Sequence, residues 1–577
     1  MGINDSSQPF DQQFDVVVVG TGAGGLTAAL CAKARGLTTV IIEKEPLWGG
    51  TTAVSGGGIW IPCNDQIESV GGHDSFADAL TYLKHLIGDA VPQSKIETYL
   101  KNAPEMVRLM EREFDVRFRS IPKYPDYFPD APGSRPGYRT MEPAHFDARQ
   151  LGDEFDSMRD CYRGQKLMGR MSMDQVEGHT LFTRGPGWIW LTLRMMLRYF
   201  TDFAWRRKTP RDRRLTMGQA LVASLRRAMK KHDVPLWLET SLESLVEADG
   251  RVTGIVAKRH GRTLRIGARH AVILASGGFE SNQQMREEFL PKPTSTAWTA
   301  APKINFGDGI RAGRALGAKL GFMDLTWGTP TMPSPTDSPQ PGLFVERNLP
   351  GCIVVNQAGQ RYVNEALPYT EFVYAMYREQ AKNGNAVPSW MIFDARFRKN
   401  YPMGALLPGS IAPDASLPKD WLGRVYHRAD SLDALAREIG VDAKGLAASV
   451  ADINRFSASG KDEQFDKGGD IFQRYYSDPS IKPNPCLAPI VKAPYYAVRL
   501  DAGELGTKGG LVTDERSRVL REDGSPIPGL YATGNCSASV MGRTYAGPGA
   551  TLGPAMTFGM LAAQDIAAAA APVAKAA

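Results

Sequence analysis

At 577 residues the chain is too long for one simple core, and 43% apolar with 23% charged residues is an ordinary globular composition that excludes a disordered or fibrous chain. A formal charge of +6 is small for this length and gives no argument for nucleic acid. Six cysteines (Cys31, Cys63, Cys161, Cys352, Cys486, Cys536) lie far apart with no C-x-x-C pair, which argues against a metal site or redox dithiol and leads to an expectation of reduced thiols in the cytoplasm.

The first residues, MGINDSSQPFDQQ, have no basic n-region and no apolar core, so no signal peptide is expected. Val16 to Val19 then read as a buried strand running into Gly20, Gly22 and Gly25 in G-x-G-x-x-G spacing, with Ala23 and Gly24 between. Gly20 allows a tight turn, Gly22 lets backbone approach a pyrophosphate, and Gly25 lets an Ala- and Leu-rich helix pack on its strand. The helix N-terminus offers free N–H groups and a positive dipole end to phosphate. A second apolar run, Thr39 to Ile42, ends at Glu43 and Lys44, where a carboxylate can accept a hydrogen bond from a ribose hydroxyl. Gly49, Gly50, Thr51 and Thr52, followed by Ser55, Gly56, Gly57 and Gly58, suit backbone running along an extended cofactor and favour FAD over NAD.

Helices are expected over Ala77 to Ile87 and Ile96 to Glu111, followed by a Pro- and Tyr-rich loop from Ile121 to Tyr138. Arg184 to Arg214 differs from its surroundings. At 100° per residue Ile189, Leu193, Met196, Leu197, Phe200 and Phe203 share one face, while Arg194, Arg198, Thr201 and Asp202 gather opposite. A helix packed on protein, a helix lying in a membrane interface and a nucleic-acid arm all fit that pattern; it is too short and too charged to span. The arm is disfavoured because Arg206 to Lys231 has no aromatic residue to stack bases.

A helix at Met217 to Lys231 and strands near Leu236 to Leu238 and Val252 to Val256 lead to AVILASGGFE (Ala271 to Glu280), a strand ending in a glycine turn that contains Ala275 and Gly277. Gly307 to Gly321 reads as a further small-residue helix. From Thr326 the composition shifts to proline clusters, and dinucleotide signals return only after Gly503, as in GLYATGN (Gly529 to Asn535). The uncharged run Thr544 to Gln564 is expected to be a buried loop and helix rather than a span, and Ala567 to Ala577 to be frayed. The expected fold is α/β: a Rossmann-like FAD-binding domain with a parallel sheet and helices, made of residues 1–325 and 503–577, and an inserted α+β substrate-capping domain at 326–502.

The glycine segments resemble the flavoprotein family of fumarate reductases, succinate dehydrogenases and 3-ketosteroid dehydrogenases. PDYF (Pro125 to Phe128), VVNQAGQRYVNEALPYTEF (Val354 to Phe372) and GNCSASVMGRTYAGPGATLG (Gly534 to Gly553) resemble the 3-ketosteroid Δ1-dehydrogenases in particular. The likeness extends to SGGGIWIP (Ser55 to Pro62), AVPSWMIFD (Ala386 to Asp394) and LGTKGGLVTD (Leu505 to Asp514), and so covers nearly the whole chain except roughly Cys161 to Arg214. It implies FAD-dependent 1,2-desaturation of the A ring of 3-ketosteroids. By motif, Tyr545 and the Gly549 N–H bind the 3-ketone, Tyr369 accepts the C2 proton and Tyr127 supports Tyr369. The resemblance further implies FAD contacts at Gly20, Gly22, Ala23, Gly24, Gly25, Glu43, Lys44, Gly49, Gly50, Thr51, Thr52, Ser55, Gly56, Gly57, Leu242, Ala275, Gly277, Gly534, Asn535 and Leu552. No His adjoins Gly49 to Thr52, so the FAD is expected to be noncovalent. Relatives that reduce fumarate carry His before T-x-G-G, where this chain has Gly506 before Thr507, which weakens a dicarboxylate reductase reading. Desaturation of C4–C5 is the nearest rival chemistry. The expected partners are a steroid, an external acceptor such as a quinone and, through residues 184–214, the inner membrane face; no metal and no nucleic acid are expected.

Overall fold

A computed structural model describes residues 9–336 and 339–571. Residues 572–577, most of the end expected to fray, lie outside the described residues; before them the helix Leu552–Ala570 is continuous.

A parallel sheet forms the centre of the first unit, in the order Leu236–Trp237, Thr39–Ile42, Gln12–Val19, Arg262–Leu274 and Pro526–Ala532. The strand Arg262–Leu274 pairs in two ways along its length. Its second half pairs in parallel with Val16–Val19, while its first half pairs antiparallel with Arg251–Arg259, which pairs in turn with Thr240–Ala248. Val16 to Val19 are buried, as the unbroken apolar run predicts for a strand covered on both faces. Each such side chain contributes about 1.5–3 kcal/mol on burial.

The helices Ala23–Lys33 and Leu552–Ala570 cross at glycine. A Cβ on Gly559 would lie 2.6 Å from the Gly24 carbonyl oxygen, and one on Gly24 would lie 2.9 Å from that of Ala555. Close backbone approach therefore accounts for the small, uncharged residues of Thr544 to Gln564. Among the described residues no helix is long and apolar enough to cross a membrane.

The second unit is built on an antiparallel sheet, in the order Thr326–Thr331, Tyr495–Thr507, Ser389–Asp394, Cys352–Val355, with the helix Tyr369–Asn383 against it. The strand Tyr495–Thr507 runs straight through the expected boundary at 502/503, because Thr507 still pairs with Thr326. Gly307 to Gly321 is not one helix. It is helical over Asp308–Ala315, turns at Gly317 with φ +78°, and resumes as a strand, Leu320–Gly321, paired with Gly510–Leu511.

In the segment 161–214 the helix Trp188–Thr201 turns most of its apolar stripe outward. Met195 and Tyr199 are the residues buried, onto Met171 and Met173, with the Tyr199 hydroxyl donating to the Pro210 carbonyl at 2.7 Å. Ile189, Leu193, Leu197 and Phe200 are exposed, with Trp190 (72%) and Phe203 (69%) the most open of the patch. Arg198, from the polar face, turns toward Asp212 at 3.5 Å, because a cation beside a buried carboxylate spares that charge from standing unpaired.

Candidate active site

The glycine-rich turn closes as its spacing requires. A Cβ on Gly20 would meet the Ala275 carbonyl oxygen at 2.4 Å, and one on Gly25 would meet that of Gly20 at 2.1 Å. Gly20 also has φ +105°, which L side chains avoid. At the ends of the parallel strands Glu43 accepts from the Thr21 hydroxyl at 2.5 Å and from the Thr21 and Glu45 N–H groups at 3.2 Å. Burial pushes the Glu43 carboxyl above its usual range, and those hydrogen bonds oppose the shift. Thr21 also accepts from the Gly49 N–H at 3.0 Å, so one hydroxyl links the turn to the second glycine run.

Thr52 accepts from the Ala23 N–H at 3.0 Å, Gly50 lies against Gly22, and Thr51 accepts from the Asn305 amide at 2.9 Å. Asn305 also lies against Gly277 and donates at 2.6 Å to Glu280, whose carboxyl burial lifts to about 7. Gly57 abuts Met217, and Gly56 accepts from Gln175 at 3.0 Å. Ser55 donates to the Thr52 carbonyl at 2.8 Å and accepts from the Gly57 N–H at 3.0 Å. Lys44 is tied to Asp308 at 2.6 Å, and the strand carrying Leu242 starts where the Thr240 N–H donates to the Glu43 carbonyl at 2.8 Å. Gly534 and Asn535 line a cleft with Thr533, Ala550, Thr551 and Pro554, at the N-terminus of the helix that begins at Leu552, three residues after Gly549. A carboxylate at the strand end, an open approach at Gly22 in a turn closed by Gly20 and Gly25, and helix N-termini at Ala23 and Leu552 fit an FAD.

The second unit brings Tyr369 to two tyrosines of the first. Tyr127, Tyr369 and Tyr545 pack edge to face around one point, with ring centroids 5.7 Å (Tyr127 to Tyr369), 5.2 Å (Tyr127 to Tyr545) and 5.5 Å (Tyr369 to Tyr545) apart. The Tyr127 hydroxyl donates to that of Tyr369 at 3.2 Å. Two hydrogen bonds to one carbonyl set the Tyr127 loop beside Tyr545: Ala546 accepts from the Tyr127 N–H at 3.1 Å and from the Tyr82 hydroxyl at 2.6 Å. Behind that loop the buried Arg139 holds Asp126 and Asp74, each at 2.7 Å.

Tyr369 is the first residue of the helix Tyr369–Asn383, capped by Pro368, so its ring leaves the chain at the positive end of a 15-residue dipole. The turn before it is fixed by the buried Arg347, which donates to the carbonyls of Glu365 and Leu367. Burial holds the Tyr369 phenol well above its ordinary value, the neighbouring Tyr545 adds to the rise, and the hydrogen bond from Tyr127 acts against it. Burial also raises Tyr545, and its oxygen accepts from the Thr551 hydroxyl at 3.3 Å. Gly549 has φ +95°, and a Cβ there would meet Gly58 and Ile59 backbone at 2.6 Å, so its amide is presented where no side chain fits.

Several residues here carry no motif signal. Trp327 packs on Tyr545 with centroids 4.7 Å apart and donates to Asn535 at 3.0 Å; Phe344 and Phe472 wall Tyr369 and Tyr127 at 5.2 and 4.9 Å. Thr21 and Thr551 lie inside motifs, between glycines that drew attention from their hydroxyls.

The family described as FAD binding domain matches residues 15–552. A 3-oxosteroid 1-dehydrogenase of Mycolicibacterium smegmatis is 43% identical over 571 residues, 97% of this chain and 98% of that protein. The crystal structure of a 3-ketosteroid delta1-dehydrogenase from Sterolibacterium denitrificans, in complex with 1,4-androstadiene-3,17-dione, superposes with TM-score 0.95 at 52% identity, covering 97% of this chain and all of that one. A 3-ketosteroid-delta4-(5alpha)-dehydrogenase from Rhodococcus jostii shares the fold, with TM-score 0.64 at 24% identity over 97% of this chain and 98% of that one.

Proposed function

The chain belongs to the 3-oxosteroid 1-dehydrogenases within the FAD-binding flavoprotein family, and from that premise we propose that Tyr127, Tyr369, Tyr545 and Gly549 carry out the 1,2-desaturation of a 3-ketosteroid A ring. The observation that supports these roles best is the meeting of the half-buried Tyr369 with the buried Tyr127 and Tyr545, with Tyr127 donating to Tyr369.

The parallel-sheet unit holds noncovalent FAD through the glycine turn, Glu43 and the Gly534–Asn535 cleft, and the antiparallel unit caps it. Bound FAD supplies a hydride acceptor for C1 of the substrate. Tyr545 O–H and Gly549 N–H polarise the 3-ketone and stabilise the enolate that forms as C2 loses its proton. Tyr369 takes that proton. A phenol is a base only as its phenolate, and two features of this chain favour that form: the donor hydrogen bond from Tyr127 and the helix N-terminus beneath the residue. The aromatic walls keep water from the enolate. Loss of H⁺ from C2 and hydride from C1 leaves the 1,2-alkene conjugated to the ketone, and an external acceptor reoxidises the enzyme.

Anaerobic addition of androst-4-ene-3,17-dione to the holoenzyme should bleach the flavin band and yield the 1,4-diene. Bleaching only by a 5α-reduced ketosteroid, with a 4-ene product, would replace this reading with C4–C5 chemistry.

The outward apolar face of Trp188–Thr201 supports a second element of the reading: attachment to an anionic lipid surface. Trp190, Leu193 and Leu197 are exposed on it, Phe203 is exposed on the short helix Phe203–Arg206 that follows a break at Asp202, and the exposed Arg194, Arg207 and Lys208 lie within the same segment. That combination suits a helix lying in a headgroup layer, near apolar steroids and a membrane quinone as acceptor. Sedimentation with vesicles containing anionic lipid tests it, and equal sedimentation after Leu193→Asp/Leu197→Asp substitution would remove it.

A further inference from the structure

The T-x-G-G stretch contains a buried lysine that the chemistry above does not use. Lys508 is 1% exposed. Its Nζ donates to the Arg543 carbonyl at 2.8 Å and to the Thr544 carbonyl, the two peptide groups immediately before Tyr545. The same Nζ lies 4.3 Å from the centroid of the Trp327 ring, the ring that packs on Tyr545 at 4.7 Å. Trp327 cannot slide, because its indole N–H is held by Asn535 at 3.0 Å. The backbone of Lys508 is fixed as well, its N–H to Leu325 at 3.0 Å and its carbonyl to the Ser539 N–H at 3.3 Å. Burial holds the Lys508 amine well below its ordinary pKa; Glu371, two residues past Tyr369, opposes that shift and Arg543 adds to it.

A buried lysine amine without a carboxylate at ion-pairing distance is costly unless its N–H donors are used. Here two are used on consecutive carbonyls, which fixes the peptide planes that set the direction of the next side chain. A misplacement of about 1 Å in a reacting group can cost on the order of 10²-fold in rate.

We propose that Lys508 is the positioning residue for Tyr545: it clamps the backbone entering that tyrosine and the Trp327 platform under its ring, so that the hydroxyl meets the 3-ketone beside the Gly549 N–H. The inference rests on the ketone-polarising role of Tyr545. It concerns aim rather than binding of FAD, so its signature is a loss of kcat with little change in flavin content.

The test is a double-mutant cycle in the holoenzyme with Lys508→Met and Tyr545→Phe, following kcat and KM for androst-4-ene-3,17-dione. Lys508→Met should lower kcat about 10–100-fold in the wild-type background and less than about threefold in the Tyr545→Phe background, since the tyrosine through which it acts is already gone. Lys508→Gln, which keeps N–H donors for the carbonyls, should recover part of the loss and gives a second variant if Met does not fold. Equal losses in both backgrounds, or an unchanged kcat, would overturn the proposal. Wild-type turnover in Tyr545→Phe alone would instead overturn the underlying reading of Tyr545.

Discussion

Two regions rich in aromatic residues use them in opposite ways. The tyrosine cluster buries the rings of Tyr127 and Tyr545, half-buries Tyr369, and spends its hydroxyls on one another and on a nearby donor, Tyr127 on Tyr369 and Thr551 on Tyr545. The helix Trp188–Thr201 does the reverse: it buries Tyr199 and leaves Ile189, Trp190, Leu193 and Leu197 in solvent. In the first region the apolar surroundings exclude water, which proton abstraction beside a ketone needs, and the hydrogen bond from Tyr127 opposes the rise that burial imposes on the Tyr369 phenol. In the second, exposed hydrocarbon gives the folded protein nothing, and so points to a partner outside it.

Perturbing each region should therefore give opposite results. Tyr369→Phe has the largest expected effect: steady-state turnover should fall by about 10²–10⁴-fold, the range for loss of a positioned base, while FAD content and steroid binding remain. Tyr545→Phe should cost about 10²–10³-fold in kcat, the range for loss of one oxyanion donor. Tyr127→Phe should be milder and should change the pH profile. Activity depends on the deprotonated form of Tyr369, whose pKa burial raises, so kcat/KM should climb through the alkaline range. The Tyr127 hydrogen bond lowers that pKa, so its loss should move the limb to higher pH. A limb that stays in place would separate Tyr127 from the base. At the small end, Leu193→Asp/Leu197→Asp should leave kcat for dissolved steroid within about twofold of wild type, as surface changes usually do, while vesicle binding is lost. A large fall in kcat would mean that the helix belongs to the catalytic body.

The same comparison shows what was legible in the amino-acid order. The turn at Gly20 to Gly25 was readable because backbone packing demands glycine there, and Glu43 because it ends the second strand of the same strand, turn and helix unit. The tyrosines were readable only through the motifs around them, since a single Tyr carries no periodic signal. Trp327, Thr551 and Lys508 were not, because their roles come from contacts that the order of residues does not display: 327 with 545, 551 with the hydroxyl of 545, and 508 with 543 and 544. The helix at 188–201 was found correctly as an amphipathic unit, but periodicity defines a stripe and not which way it faces. Met195, Tyr199 and the pairing of Arg198 with Asp212 decided that. At the boundary expected near 502 the glycine signals resume at Gly503 while a strand continues to Thr507, a pairing that composition does not display.

A crystal structure of the FAD-loaded protein with androst-1,4-diene-3,17-dione tests the central claim most directly. The account predicts the C3 oxygen within hydrogen-bonding distance of both the Tyr545 hydroxyl and the Gly549 N–H, with C2 beside the Tyr369 hydroxyl and C1 over the flavin. A ketone held elsewhere, with Tyr369 turned away from C2, would contradict it.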